Sequence, residues 1–323
     1  MYMTTTRPSR VLIILAFAAV YIIWGSTYLG IRLAIQTLPG FLMAGTRFSI
    51  AGGILFVIAI SNGAKIRQPF TNWRRALLIG GLLLLCGNGG VTWAEKYVAS
   101  GLAALFVATE PLWVVVLNWA LTRRRPNGKV LLGVFIGLIG VALLVSDGLG
   151  QGISNSSKMS FIAGSVVLLA SLAWAAGSVY SNRNPIDAPT SMAAGMQMLA
   201  GGGLLLVLAL AAGDFQRLNL ANASWASLGA FAYLLIFGSL VGFTAYSWLL
   251  NNVTPERAAT YGYVNPVVAV LLGWSIAGEP ITLRMIVAAP IIISSVVLIT
   301  TFGRAHADAA AVHDSECPTP PCA

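Results

Sequence analysis

Residues 101 to 121 read Gly101-Leu-Ala-Ala-Leu-Phe106-Val-Ala-Thr-Glu110-Pro111-Leu-Trp113-Val-Val-Val-Leu-Asn-Trp119-Ala-Leu121, an apolar run interrupted by a single charge near its middle. A helix that crosses a bilayer needs about 20 mostly apolar residues, and this run has that length. Similar runs recur along the chain at 11–31, 40–60, 76–94, 129–146, 161–181, 191–212, 227–250, 258–277 and 283–302. They are continuous and rich in Leu, Ala and Gly, unlike the short alternating segments of an outer-membrane barrel. Helices also satisfy their own backbone in lipid. The composition agrees: 57% of residues are hydrophobic and 9% charged, against about a quarter charged in soluble domains. The expected fold is therefore all-α integral membrane, with ten transmembrane helices and the lipid bilayer as solvent. The first run follows Arg7 and Arg10 but has no small-residue cleavage site, so it reads as a retained span rather than a signal peptide.

Working outward from residue 111, the chain resembles itself. An offset of 155 aligns Pro111 with Pro266, Trp93 with Trp248, Trp119 with Trp274, and Ala103 and Ala104 with Ala258 and Ala259. An offset near 150 pairs Trp24 with Trp174 and Gly52 and Gly53 with Gly202 and Gly203, and sets Arg47 opposite Gln197. Such self-similarity marks a duplicated unit. The expected organisation is a cytoplasmic N-terminus at 1–10, five-helix repeats at 11–147 and 161–302, and a disordered cytoplasmic tail at 304–323. Five is odd, so the second repeat enters the membrane from the opposite side and the repeats are inverted. That arrangement predicts a substrate site near the midplane, between the repeats, and alternating access. A scaffold made by duplication is the competing reading.

The net charge of +9 is distributed like a topology signal rather than a nucleic-acid patch. With the N-terminus inside, thirteen of the 19 basic residues fall in inside segments and five in outside ones, the loops 61–75 and 122–129 holding four each. Both termini are thus expected in the cytoplasm and the protein in the inner membrane.

Charge near the bilayer centre costs about 2.5 to 3.5 kcal/mol on insertion scales, so buried charges need a partner or a cavity. Glu110 lies nine residues into its span, about 14 Å deep at 1.5 Å per residue. Arg47 is shallower. Either the two line an aqueous cavity, with Glu110 carrying a coupling proton or meeting an amine and Arg47 meeting a carboxylate, or they form a structural ion pair. Phe106, Glu110 and Trp113 share a helical stripe, and the repeat maps Phe106 and Glu110 onto Tyr261 and Asn265, so the two stripes are expected to face one another. Pro111 and Pro266 are helix-kink candidates that free a carbonyl one turn back. Asn88, Gln197 and Tyr180 can bond to substrate or join helices. Trp24, Tyr28 and Trp174 can stack on substrate or belong to interface belts. Gly133, Gly137 and Gly140, with the glycines at 80, 81, 87, 89 and 90, read as helix contact surfaces.

Several chemistries find no support. Both histidines, His306 and His313, follow the last span, which leaves no intramembrane imidazole for metal or general-base work. The chain has no phosphate-binding glycine loop and no connector long enough for a nucleotide-hydrolysing domain. No cofactor is implied. Cys86, Cys317 and Cys322 suggest no disulfide framework. Asp147, Asp187 and Asp214 sit in separate loops, unlike the clustered acids expected of an enzyme acting on lipid-like substrates. A passive pore would want a continuous polar stripe.

The runs Trp24-Gly-Ser-Thr-Tyr28, Trp174-Ala-Ala-Gly-Ser-Val-Tyr180, Phe237-Gly-Ser239 and Tyr261-Gly-Tyr-Val-Asn265-Pro-Val-Val-Ala-Val-Leu-Leu-Gly273, followed by Gly278-Glu279, carry a resemblance. Over residues 11 to 302 the chain resembles the drug/metabolite transporter superfamily, specifically its ten-span EamA-type members. The resemblance implies an inverted 5+5 fold, a central cavity built from both halves, and export of amino acids or related metabolites. Glu110 stands where that pattern more usually has an apolar residue, which adds weight to a cationic or amine-bearing substrate. The expected function is a secondary exporter of small molecules, coupled to protons through Glu110.

Overall fold

The computed structural model describes residues 9–123, 125–145, 155–253, 258 and 260–316, and among them it contains helices and no strand. Seven helical stretches are long and apolar enough to cross a membrane: α1 Arg10–Ala34, α2 Gly40–Ser61, α3 Phe70–Ala94, α4 Ser100–Thr122, α6 (Asn155–Arg183, apolar from Lys158), α7 Thr190–Ala211 and α8 Trp225–Asn252. The helices α5 Gly128–Val145, α9 Tyr261–Ala277 and α10 Leu283–Glu316 carry the shorter apolar stretches Gly128–Gly140, Val264–Ala277 and Leu283–Ile299. Of the ten expected spans, seven thus meet that length among the described residues. The last helix continues past residue 302 into the segment read as a disordered tail. Asp147, Cys317 and Cys322 lie outside the described residues.

Local sequence sets the helix ends. Pro39, Pro69 and Pro189 stand at the N-caps of α2, α3 and α7 in extended conformation, where a missing N–H costs nothing. Gly278 ends α9 at φ +65°, a left-handed turn that suits glycine. That turn brings Glu279 onto the start of α4. Its carboxylate accepts from the Ser100 amide at 2.9 Å, the Ser100 hydroxyl at 2.8 Å and the Gly101 amide at 3.3 Å. The Gly-Glu pair is thus a cap that fastens two distant parts of the chain, since an anion is favoured at a helix N-terminus. Asp214, isolated in the sequence, is buried and caps α2 in the same way through the Phe41 and Leu42 amides.

Close glycine contacts bring α2, α3 and α7 together. A Cβ on Gly52 would stand 2.8 Å from the Leu199 nitrogen, and one on Gly202 2.8 Å from the Ser49 nitrogen. Gly80 and Gly201 make the equivalent contact between α3 and α7. The expected packing role of Gly80, Gly87, Gly89 and Gly90 therefore holds, as does that of Gly133, Gly137 and Gly140 against α10. Gly81 meets only the tip of Leu204, at 3.5 Å. Gly53 has nothing within 4 Å of its would-be Cβ, although it adjoins Gly52. Gly52→Leu is accordingly expected to destabilise by about 1–3 kcal/mol or more, because backbone cannot move aside as a side chain can. Gly53→Leu is expected to leave stability unchanged, and thermal unfolding of the two purified variants side by side checks the contrast.

Candidate functional site

Three of the long helices widen locally into π-helical turns, at Val20–Trp24, Gly81–Asn88 and Leu234–Phe243. Such turns interrupt the regular ladder and are frequent at functional sites. Each puts residues on the wall of one interior cavity of about 70 Å³: Trp24 from the first, Leu84, Gly87 and Asn88 from the second, Gly238 and Phe243 from the third. That volume has room for several waters. Seven of the polar and aromatic residues singled out in the sequence line it, namely Trp24, Tyr28, Arg47, Asn88, Trp174, Tyr261 and Asn265.

One wall is basic. The Arg47 guanidinium, on α2, is buried at 3% exposure and donates from Nη2 to the Asn88 side-chain oxygen at 3.0 Å. It stacks 4.1 Å above the Phe48 ring, its Nε has no partner, and among the described residues no carboxylate lies within 4 Å of it. Asn88 also accepts from the Thr92 hydroxyl at 3.4 Å. The structural ion pair between Arg47 and Glu110 is thus not formed.

The other wall is aromatic. Trp24 stands edge-on to Trp174 at 5.4 Å and to Tyr261 at 5.4 Å, and is tilted against Tyr246 at 4.8 Å. The repeat-matched tryptophans therefore touch. Their indoles are fixed by hydrogen bonds, Trp24 Nε1 to the Gly238 carbonyl at 3.2 Å and Trp174 Nε1 to the Tyr246 hydroxyl at 3.4 Å. Behind this wall Glu110, 1% exposed, accepts from the Tyr261 hydroxyl while its second oxygen has no partner. The expected meeting of the two stripes occurs at Glu110 and Tyr261.

The remaining candidates fall elsewhere. α4 breaks at Ala108–Thr109 ahead of Pro111, which turns its second half relative to its first. Phe106 consequently packs toward Gly164, and Trp113 packs beside Ala175 and Val179, away from the cavity. The carbonyl of Val107, one turn before Pro111, is taken by the Ser171 hydroxyl at 3.3 Å rather than left for a ligand. Pro266 lies inside the unbroken α9, and the interruption on that side falls ahead of the helix, at Thr260. Tyr180 lies in a separate groove with Arg74 and Leu77, and Gln197 is buried on α7.

Sequence reasoning missed Tyr246, Thr27, Ser171 and Glu95. Glu95, just past the end of α3, is fully buried and neither of its carboxylate oxygens has a partner. Burial pushes its carboxyl well above the usual range, with the Glu279 charge adding to this and Arg32 and Arg47 opposing it. The available signal was its spacing from Asn88, seven residues along one helical face.

Long apolar helices around a partly open, mostly apolar cavity that carries a few polar groups define a multi-pass helical membrane protein. The chain belongs to the EamA-like transporter family, which matches residues 11–146 and again 162–301. It is 40% identical over 287 residues to the "Uncharacterized inner membrane transporter YedA" of Escherichia coli K12, covering 88% of this chain and 89% of that one. It is 25% identical over 297 residues to the "Probable amino-acid metabolite efflux pump" of Salmonella typhimurium, covering 88% and 93%. A solved structure titled "Crystal structure of protein" shares the fold at a TM-score of 0.63 and 21% identity, covering 92% of this chain and 99% of that one.

Proposed function

We propose that this chain is a secondary exporter of small carboxylate-bearing metabolites, amino acids and related amine-bearing acids among them, working in the inner membrane by alternating access. The observation that carries the reading is Arg47: a buried guanidinium on a cavity wall, hydrogen-bonded to a neutral amide and with no carboxylate within 4 Å among the described residues. A charge in such surroundings is costly without a counter-ion, and a substrate carboxylate supplies one through the bidentate geometry of the guanidinium. The aromatic wall of Trp24, Trp174 and Tyr261 takes the apolar or amine-bearing part. Glu110 carries the coupling proton behind that wall. The name of the Salmonella relative supports amino-acid metabolites as substrates.

In this reading ten spans form two inverted five-helix halves with both termini in the cytoplasm. The double family match, the contact of Trp24 with Trp174 and the meeting of Glu110 with Tyr261 support two related halves. The basic residues of the first-half loops support the orientation. The test is uptake into liposomes of purified protein under an imposed pH gradient, with labelled amino acids, polyamines and nucleosides. Saturable accumulation of a carboxylate compound that collapses with the gradient is expected. Equilibration without accumulation would make the protein a facilitator, and movement of nothing would return weight to a scaffold or a lipid-acting enzyme.

A further inference from the structure

Glu95 and Arg47 are two buried opposite charges on neighbouring helices, each incompletely partnered. Asn88, Thr92 and Glu95 follow one another at spacings of four and three on the face of α3 and its end, so they form a single polar line. Arg47 already holds the lower end of that line through Asn88 at 3.0 Å. Helical side chains lean toward the N-terminus of their helix. On α3 this carries the Glu95 carboxyl back over Thr92. On antiparallel α2, whose Gly40 would meet Thr92 at 3.2 Å through an added Cβ, it carries the long Arg47 side chain toward the same level.

The other charged or titratable groups facing Glu95 are Tyr28 and Arg32 on α1 and Glu279 after α9, with Lys96 next to it in the chain. Glu279 is occupied by the start of α4, and Arg32 donates from Nη1 to the main-chain carbonyl of Glu95 rather than to its carboxylate.

We infer that Glu95 is the resident counter-ion of Arg47, exchanged for a substrate carboxylate by taking up one proton. The inference rests on the carboxylate-binding reading of the cavity. With the cavity empty, Arg47 swings up the line and pairs with ionised Glu95. When a carboxylate arrives, the guanidinium turns to it, and Glu95, left without a counter-ion in a dry site, binds a proton from the nearby aqueous face. The site is neutral in both states: guanidinium with Glu95 carboxylate before, guanidinium with substrate carboxylate and neutral Glu95 after. Release reverses the exchange, the proton returning to the face it came from. The proton at Glu95 therefore sets affinity and does not cross the membrane, unlike the one assigned to Glu110.

The test uses full-length protein in lipid nanodiscs, with benzoate, pyruvate and phenylalanine added separately as probes. Tryptophan fluorescence follows binding, and an indicator dye in weak buffer follows protons. Wild type is expected to take up about one proton per carboxylate bound and to lose affinity about tenfold per pH unit once Glu95 is ionised. Glu95→Gln is expected to bind with no uptake and with affinity independent of pH, while Glu95→Asp keeps the uptake. Infrared difference spectra of wild type provide a measurement that needs no variant: binding should convert one carboxylate band to a protonated carboxyl band. Uptake that persists unchanged in Glu95→Gln, or no such band in wild type, overturns the exchange while leaving the carboxylate site standing. Failure of every probe to bind wild type overturns both.

Discussion

Arg47→Gln is expected to abolish transport of carboxylate-bearing solutes while leaving the protein folded and as stable as wild type or more so. The two halves of that result have one cause. Removing one partner of a buried charge pair costs about 3–5 kcal/mol, which is roughly 10²- to 5 × 10³-fold in apparent affinity. In the substrate-free variant Glu95 takes up a proton in place of its counter-ion, so no buried charge is left alone, and replacing a buried charge pair by neutral groups is often neutral or stabilising. Gln keeps a donor for the Asn88 oxygen. Function and stability should therefore move in opposite directions, as at sites where binding machinery is held at a cost to the fold. Arg47→Lys keeps the charge but not the planar fork and should recover only part of the transport. Initial rates in proteoliposomes, with thermal unfolding of the same preparations, check both halves. Normal carboxylate transport by Arg47→Gln would remove the basis for the substrate assignment.

The second large effect concerns Glu110. Each proton moved down a gradient of one pH unit supplies about 1.36 kcal/mol, enough for roughly tenfold accumulation of a coupled solute. Glu110→Gln should reduce accumulation from that level to simple equilibration, with net flux surviving down the solute gradient. The variant retains a carbonyl that accepts from the Tyr261 hydroxyl, so the joint between α4 and α9 is kept. Unchanged dependence on the pH gradient in this variant would move the coupling elsewhere and leave the transporter reading intact.

Particular residues show how far the sequence could be read. Arg47, Asn88, Trp24 and Trp174 were legible because polar and aromatic residues are sparse in apolar helices and each stands out in its own segment. The meeting of Glu110 with Tyr261 was legible through the repeat. Spacing alone places Phe106 and Trp113 on the Glu110 stripe, which assumes an unbroken helix. The interruption at Ala108–Thr109 falsifies that assumption and turns their faces away. Tyr246 was passed over because nothing in its own segment marks it. It matters only because its hydroxyl lies within 3.4 Å of Trp174 Nε1 and 2.8 Å of the Ser178 hydroxyl. Glu95 was hidden by its place at the end of a span, where a carboxylate is ordinarily solvated.

The sequence by itself determined that this chain is a helical membrane protein, because segment length and hydropathy are local properties that each stretch carries without its neighbours, and its short motifs carried the likeness to the EamA-like transporter family. Only the tertiary structure decided which polar groups share the cavity, that Arg47 faces Asn88 rather than Glu110, and that Glu95 is sealed inside. Those outcomes depend on how each helix is rotated and how closely it approaches the next. Backbone contacts such as Gly52 with Leu199 and Gly80 with Gly201 fix these quantities between residues more than a hundred positions apart.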